Sequence, residues 1–179
     1  MTIIPTRKAV IPGNNEMHLQ KLSVHDGEAV YRMLQDTGTC ENSFTNPVRG
    51  MNYAEYKRWL LQQAEWSEGL ILPEGYVAQT VYWLVDGGIP IGIEKIRHAL
   101  TAESREFGGN VGYAIGAAFR GRGYGKALLG FLLEEAKKMQ LDEILLTVDK
   151  GNNASRKVVE ANGGLLVREN SERWYFRVP

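Results

Sequence analysis

The sequence predicts an α+β fold, a mixed α/β domain of three layers with a mixed central sheet and helices on both faces. Three observations predict it. Two stretches before residue 70 repeat apolar residues at helical spacing. "TVYWLVD", Thr80 to Asp86, is apolar on both faces and is followed by Gly87-Gly88 and a second strand-like run. From there to residue 178 the pattern alternates between strand and helix. At 179 residues the chain fits one domain, 1–179.

The elements follow in order. Residues 1–17 contain Pro5, Pro12 and Gly13 and read as an irregular or edge segment. His18 to Leu22 reads as a short strand. Ser23 to Gln35 reads as a helix capped by Ser23 or Asp26, with Val30, Met33 and Leu34 on one face. Thr37 to Met51 is turn-rich. Asn52 to Glu68 is a second helix with Tyr56, Trp59, Leu60 and Gln63 along a stripe. Thr80 to Asp86 and Ile89 to His98 form a hairpin about Gly87-Gly88. The apolar phase of the second strand is odd at Ile89, Ile91 and Ile93 but even at Ile96, which places a bulge near Glu94–Lys95. Asn110 to Ile115 is the next strand. A helix then runs to about Gln140, burying Leu129, Leu132, Leu133, Ala136 and Met139. Glu143 to Asp149 is a buried strand, Ser155 to Ala161 a short helix, and Leu165–Arg168 with Arg173–Val178 a closing hairpin.

Lys plus Arg and Asp plus Glu are 21 each, so no global charge draws the chain to nucleic acid or anionic membrane. A single cysteine, Cys40, forms no internal disulfide and reads as a reducing, cytoplasmic setting. No stretch approaches the ~20 apolar residues of a membrane span. His18, His25 and His98 are scattered, against a metal cage.

The chemistry concentrates at "FRGRGYGKALL", Phe119 to Leu129. Glycines let the backbone adopt positive φ and approach a bulky anion. The first N–H groups of the following helix lack partners within it. Together they make a phosphate cradle, with Arg120, Arg122 and Lys126 adding charge. It is not a Walker A loop, because Ala127 stands where Ser or Thr must follow the lysine. It is not the dinucleotide fingerprint either, since Lys126 and Leu128 stand where the third glycine is needed.

Arg120-Gly121-Arg122-Gly123-Tyr124-Gly125 does meet the pattern of Arg or Gln, two free positions, Gly, one free position, then Gly or Ala. With "GGNVGYAIGAAFRGRGYGKALLGFLLEEA" before and around it and "LTVDKGNNASRKVVEANGG" after it, this resembles the GNAT family of N-acetyltransferases. The resemblance covers residues 77–179, the acetyl-CoA-binding core. It leaves 1–76 as the family's variable N-terminal strand and helices. Trp83-Leu84-Val85, Arg97 to Leu100 and Asp149 to Gly164 resemble a bacterial subgroup of that family, for which no acceptor is implied.

The resemblance implies acyl transfer from acetyl-CoA to a primary amine, with a small-molecule acceptor favoured over a protein N-terminus or lysine. It requires no metal, and it allows a homodimer. Pantetheine is implied along Ile115, Gly116 and Ala117, with a backbone N–H near Ile115 or Gly116 polarising the carbonyl. The pyrophosphate is implied on the segment Arg120, Gly121, Arg122, Gly123, Tyr124, Gly125 and Lys126. Asn152 and Ser155 contact the pantetheine end. Arg156 and Lys157 are either contacts to the 3′-phosphate or solvated helix charges.

The family often carries a Glu where Asn110 stands and a Tyr where Val159 stands. Glu94 is the substitute base, His98 the next choice, and Tyr113, Tyr124 or water the substitute acid. The departures also admit a sensor that binds acetyl-CoA without turnover. Tyr53, Trp59, Trp66, Trp83 and Arg97 are candidates for the acceptor site, with core packing as the competing reading for each aromatic. Arg97 favours an acceptor that carries an anionic group.

Overall fold

Both faces of the strand at Thr80–Val85 are apolar, and both are buried between helical layers. The computed structural model of the chain describes residues 16–41, 43–141 and 143–178. The expectation for 1–15 lies outside the described residues. The elements are β1 (His18–Lys21), α1 (Glu28–Asp36), β2 (Cys40–Glu41), β3 (Phe44–Thr45), α2 (Tyr53–Ser67), β4 (Gln79–Asp86) and β5 (Ile89–Arg97). They continue with α3 (Ala102–Glu106), β6 (Val111–Ile115), a 3-10 turn (Ala117–Phe119), α4 (Tyr124–Lys138), β7 (Ile144–Asp149), α5 (Asn153–Ala161), β8 (Leu165–Glu169) and β9 (Arg173–Val178).

The strands form two larger antiparallel sheets, β1-β4-β5-β6 and β7-β9-β8, and the small β2–β3 hairpin. On one side, α1 and α2 pack Met33, Leu34, Tyr56 and Leu60 against Trp83 and Ile93. On the other, α4 packs Leu129 and Leu132 against Tyr82, Ile96 and Phe176. Leu128 is fully buried as well, against Leu84 and Ile91. Burying each such leucine contributes about 1.5–3 kcal/mol.

Three details differ from the sequence expectations. The first helix begins after Gly27, not at Ser23, and has no side-chain cap. Asp26 instead turns inward, where its carboxylate accepts the indole N–H of Trp83 at 2.6 Å and the N–H of Ser23 at 2.8 Å. A buried indole needs an acceptor, and this need outweighs the cap. The bulge lies opposite Leu84–Val85, where Ile91 is the extra residue between Pro90 and Gly92, and not at Glu94–Lys95. Ile93 and Ile96 serve opposite helical layers, so their change of phase requires no slip. Within the stretches expected to be loops, short pieces form: β2, β3 and α3. The capping box of Asn52 and Glu55 sets the start of α2.

Candidate functional site

β6 and β7 share no ladder and meet only at their roots. Asn110 N–H donates to Leu145 O at 2.7 Å, and Leu145 N–H donates to Asn110 Oδ1 at 2.9 Å. Gly109 permits this approach, because a Cβ there would lie 2.1 Å from Leu145 O. Beyond this staple the strands separate and a gap opens.

The gap holds two cavities. The outer one, ≈ 450 Å³, runs from Ile115 over Gly121, Gly123 and Gly125 to Asn152. The inner one, ≈ 120 Å³, lies between Gly112 and Thr147 and is walled by Phe44 and Thr45 of the β2–β3 hairpin. Tyr113 and Ser155 line both cavities, and their hydroxyls are 2.7 Å apart. Burial pushes the Tyr113 phenol up to about 12, against a lowering by the Ser155 bond.

The outer cavity is built by the glycine segment. Gly121 and Gly123 have φ of 74° and 84°, and a Cβ on either would project into open space. Gly123 is the N-cap of α4, whose first bonds are Lys126 and Ala127 N–H to Gly123 O. The amides of residues 123–125 therefore precede the helical ladder and edge the cavity. Gly125 lets α4 approach α5, since a Cβ there would sit 3.3 Å from Val158. Tyr124 is held by its hydroxyl, which donates to Asp86 Oδ2 at 2.8 Å. Asn152 caps α5 by accepting Ser155 N–H at 3.0 Å, which turns Ser155 toward the gap.

The ladder decides which amides face the gap. Gly116 N–H donates to Ile91 O at 2.9 Å, and Arg97 N–H donates to Asn110 O at 2.7 Å. Alternation then turns the main-chain groups of Tyr113 and Ile115 away from β5 and toward β7. Ile115 O accepts Arg120 Nε at 3.0 Å on that side.

A family model described as an acetyltransferase (GNAT) domain matches residues 16–164. The chain belongs to the GNAT acetyltransferase family. It is an acetyl-CoA-dependent N-acetyltransferase by that membership. Comparison with curated proteins returns no significant match in sequence. Among solved structures, the microcin C7 self-immunity acetyltransferase MccE in complex with acetyl-CoA and AMP is similar with a TM-score of 0.65. Its identity is 14%, over 92% of this chain and 93% of that one. RimL, the ribosomal L7/L12 alpha-N-protein acetyltransferase in complex with coenzyme A, gives 0.64 at 14% identity over 95% and 97%. The Campylobacter jejuni N-acetyltransferase PseH in complex with acetyl coenzyme A gives 0.60 at 11% over 90% and 97%. At such identities these likenesses speak for the GNAT fold.

Within this GNAT site the expected residues divide. Ile115, Arg120, Gly121, Gly123, Gly125 and Lys126 line the outer cavity together, with Tyr113, Tyr124, Asn152 and Ser155. Gly116, Ala117 and Arg122 do not line it. Gly116 is tied to β5, Ala117 has entered the 3-10 turn, and Arg122 points to solvent.

The other expectations need correcting. Glu94 is fully buried beneath α4, across from Tyr82 and Tyr113, and lines neither cavity. Neither of its oxygens has a partner, and burial holds its carboxyl well above the usual range. His98 sits at the far end of β5, bonded to Thr80 Oγ1 at 2.8 Å. Trp83 is a core residue with 0% exposure, so it does not line an acceptor site. Asn110 is the strand staple, and Val159 is fully buried against the inner cavity. Arg156 stacks on Trp174 at 4.6 Å and pairs with Glu160, so the structure gives it the helix-charge role. Arg97 does line the inner cavity. Lys95, Thr147 and the β2–β3 hairpin line it too, and the sequence reading had missed them. A lysine between Ile93 and Ile96 on a buried strand was the available signal for Lys95.

Proposed function

We propose that the chain acetylates the primary amine of a small molecule, with the outer cavity holding acetyl-CoA and the inner cavity the acceptor. The observation that carries this reading is the gap beyond the Asn110–Leu145 staple, which leads from the glycine segment past Tyr113 into the inner cavity. The residues fit the donor. The open space over Gly121 and Gly123, with helix-end amides beside it, suits a diphosphate. The gap-facing edge of Tyr113 and Ile115 suits the pantetheine amides.

The donor supplies a thioester carbonyl. Ile115 N–H is the amide aimed into the gap, and it is the donor for the developing oxyanion. Gly116 N–H, the other expected donor, is engaged by Ile91. Tyr113 stands at the junction with its hydroxyl on Ser155. A phenol near 12 holds its proton more firmly than a thiol near ~8.5. Tyr113 therefore donates a hydrogen bond to the leaving sulfur and keeps its proton, while water completes the transfer.

Among the described residues no carboxylate lines either cavity. The acceptor amine loses its proton to water, and the sealed position of Glu94 speaks against direct proton acceptance by that residue. The small inner cavity, closed by Phe44 and Thr45, favours a small acceptor over a protein chain. It also supports the division into an N-terminal part, 1–76, that shapes the acceptor side and a core, 77–179, that holds the donor. The lone cysteine suits a cytoplasmic setting.

Isothermal titration with acetyl-CoA and a thiol-release assay over an amine panel test the reading. Tight binding with turnover of at least one small amine is the expected result. Binding with no turnover of any amine would sink it.

A further inference from the structure

Among the described residues, the inner cavity has two cationic side chains in its wall and no carboxylate. Lys95 and Arg97 are two apart on β5, so they project from the same face. Lys95 Nζ donates to Thr45 O at 3.1 Å and lies 5.1 Å from the Phe44 ring. Arg97 Nη1 donates to Gly109 O at 2.9 Å. Each is thus held by one carbonyl of a neighbouring segment, and among the described residues neither forms an ion pair.

Half-buried cations held side by side cost free energy unless an anion joins them. The chain bears this cost at Lys95: burial, and then the charge of Arg97, lower its ammonium to about 8. The remaining wall offers the Thr147 hydroxyl and an apolar floor at Leu146 and Val148, while the Ser43 hydroxyl already donates to Asp149 Oδ2 at 2.8 Å. Volume limits the occupant. About one or two functional groups fit ≈ 120 Å³, which suits a carboxylate on a short chain.

We propose that Lys95 and Arg97 form a carboxylate subsite, so that the acceptor is an amine bearing a carboxylate. This rests on the reading of the inner cavity as the acceptor side and narrows it. Lys95 pairs with Gly112, three residues before Ile115, which is about 10 Å along the strand. The carboxylate and the amine are therefore separated by a spacer of several bonds. Side-chain reach shortens that spacer, so ω-amino acids of graded length are the natural probes.

Two measurements test the subsite. In the first, thiol release is followed with ω-amino acids and with their matched primary amides, using wild type and Lys95→Met. The acid is expected to exceed its amide at least about tenfold in kcat/KM, and the ratio is expected to fall toward one in the variant, mainly through KM. Equal use of acid and amide, or a ratio unchanged in the variant, overturns the proposal. Preference for succinyl-CoA over acetyl-CoA, lost in Lys95→Met, overturns the assignment of the carboxylate to the acceptor.

The second measurement needs no turnover: glutarate binding to the CoA-loaded protein, by titration calorimetry. Binding at least about tenfold weaker in Lys95→Met supports the subsite even if no amine reacts. Absent binding in wild type, or equal binding in a folded variant, overturns the subsite while leaving the acetyl-CoA reading intact. Circular dichroism confirms folding, and Arg97→Gln provides the second variant.

Discussion

Asn110 and Leu145 bind each other twice, main chain to main chain at 2.7 Å and main chain to side chain at 2.9 Å, at the point where β6 and β7 part. The staple holds the root of the gap and so sets how far the strands open beyond it. Asn110→Ala leaves Leu145 N–H without its acceptor. The expected cost is about 1–3 kcal/mol, a fall in Tm of roughly 2–10 °C for a chain of this length. Thermal unfolding monitored by circular dichroism measures it, and an unchanged Tm would show the staple to be dispensable.

The glycine segment is tested at Gly123, where φ is 84°. A branched side chain there is strained by about 1–2 kcal/mol and projects over the amides. Gly123→Val is expected to weaken acetyl-CoA at least about tenfold, or 1.4 kcal/mol, while the chain still folds. Calorimetric titration of a folded variant with undiminished affinity contradicts the cradle.

In the proposed reaction, Tyr113 bears on the leaving thiolate and not on donor affinity. Tyr113→Phe is expected to lower kcat about tenfold, equivalent to roughly 1.4 kcal/mol, with acetyl-CoA affinity held within about twofold. Stopped-flow thiol release and titration separate the two quantities. A loss confined to affinity removes the proposed role.

Glu94 makes a stability prediction with a definite sign. Burial raises its folded pKa well above that of the unfolded chain. Its neutral form is thus fully compatible with the fold below the unfolded value of about 4.5, and stability is lost as pH rises from there toward the folded value. Each pH unit within that window costs up to about 1.4 kcal/mol. The Tm of Glu94→Gln minus that of wild type is expected to increase between about pH 5 and pH 8. Its thiol-release activity over about pH 6–9 is expected to match wild type and to rise with deprotonation of the acceptor amine. A selective loss of activity in this variant would restore Glu94 as a proton acceptor.

Much of this was legible along the chain. Periodicity located both large helices, the hairpin about Gly87-Gly88, and the order of strands and helices that follows. The glycines at 121 and 123 announced the open turn before α4, because positive φ is a local property of the backbone. The start of α2 at Asn52 was legible too, whereas α5 begins at Asn153, two residues before the expected Ser155.

What the tertiary structure decided was the use of each side chain. Asp26 reads as a helix cap until the indole of Trp83 is brought to it from 57 residues away. Glu94 reads as a base until α4 closes over it, and Gly116 N–H reads as an oxyanion donor until the bulge at Ile91 takes it. Lys95 joins the inner cavity only because β3 and β7 fold up beside β5. Helical phase and loop conformation depend on neighbours in sequence, whereas burial, pairing and cavity shape depend on segments far apart in the chain. The former can be read in order, and the latter exist only after the layers meet.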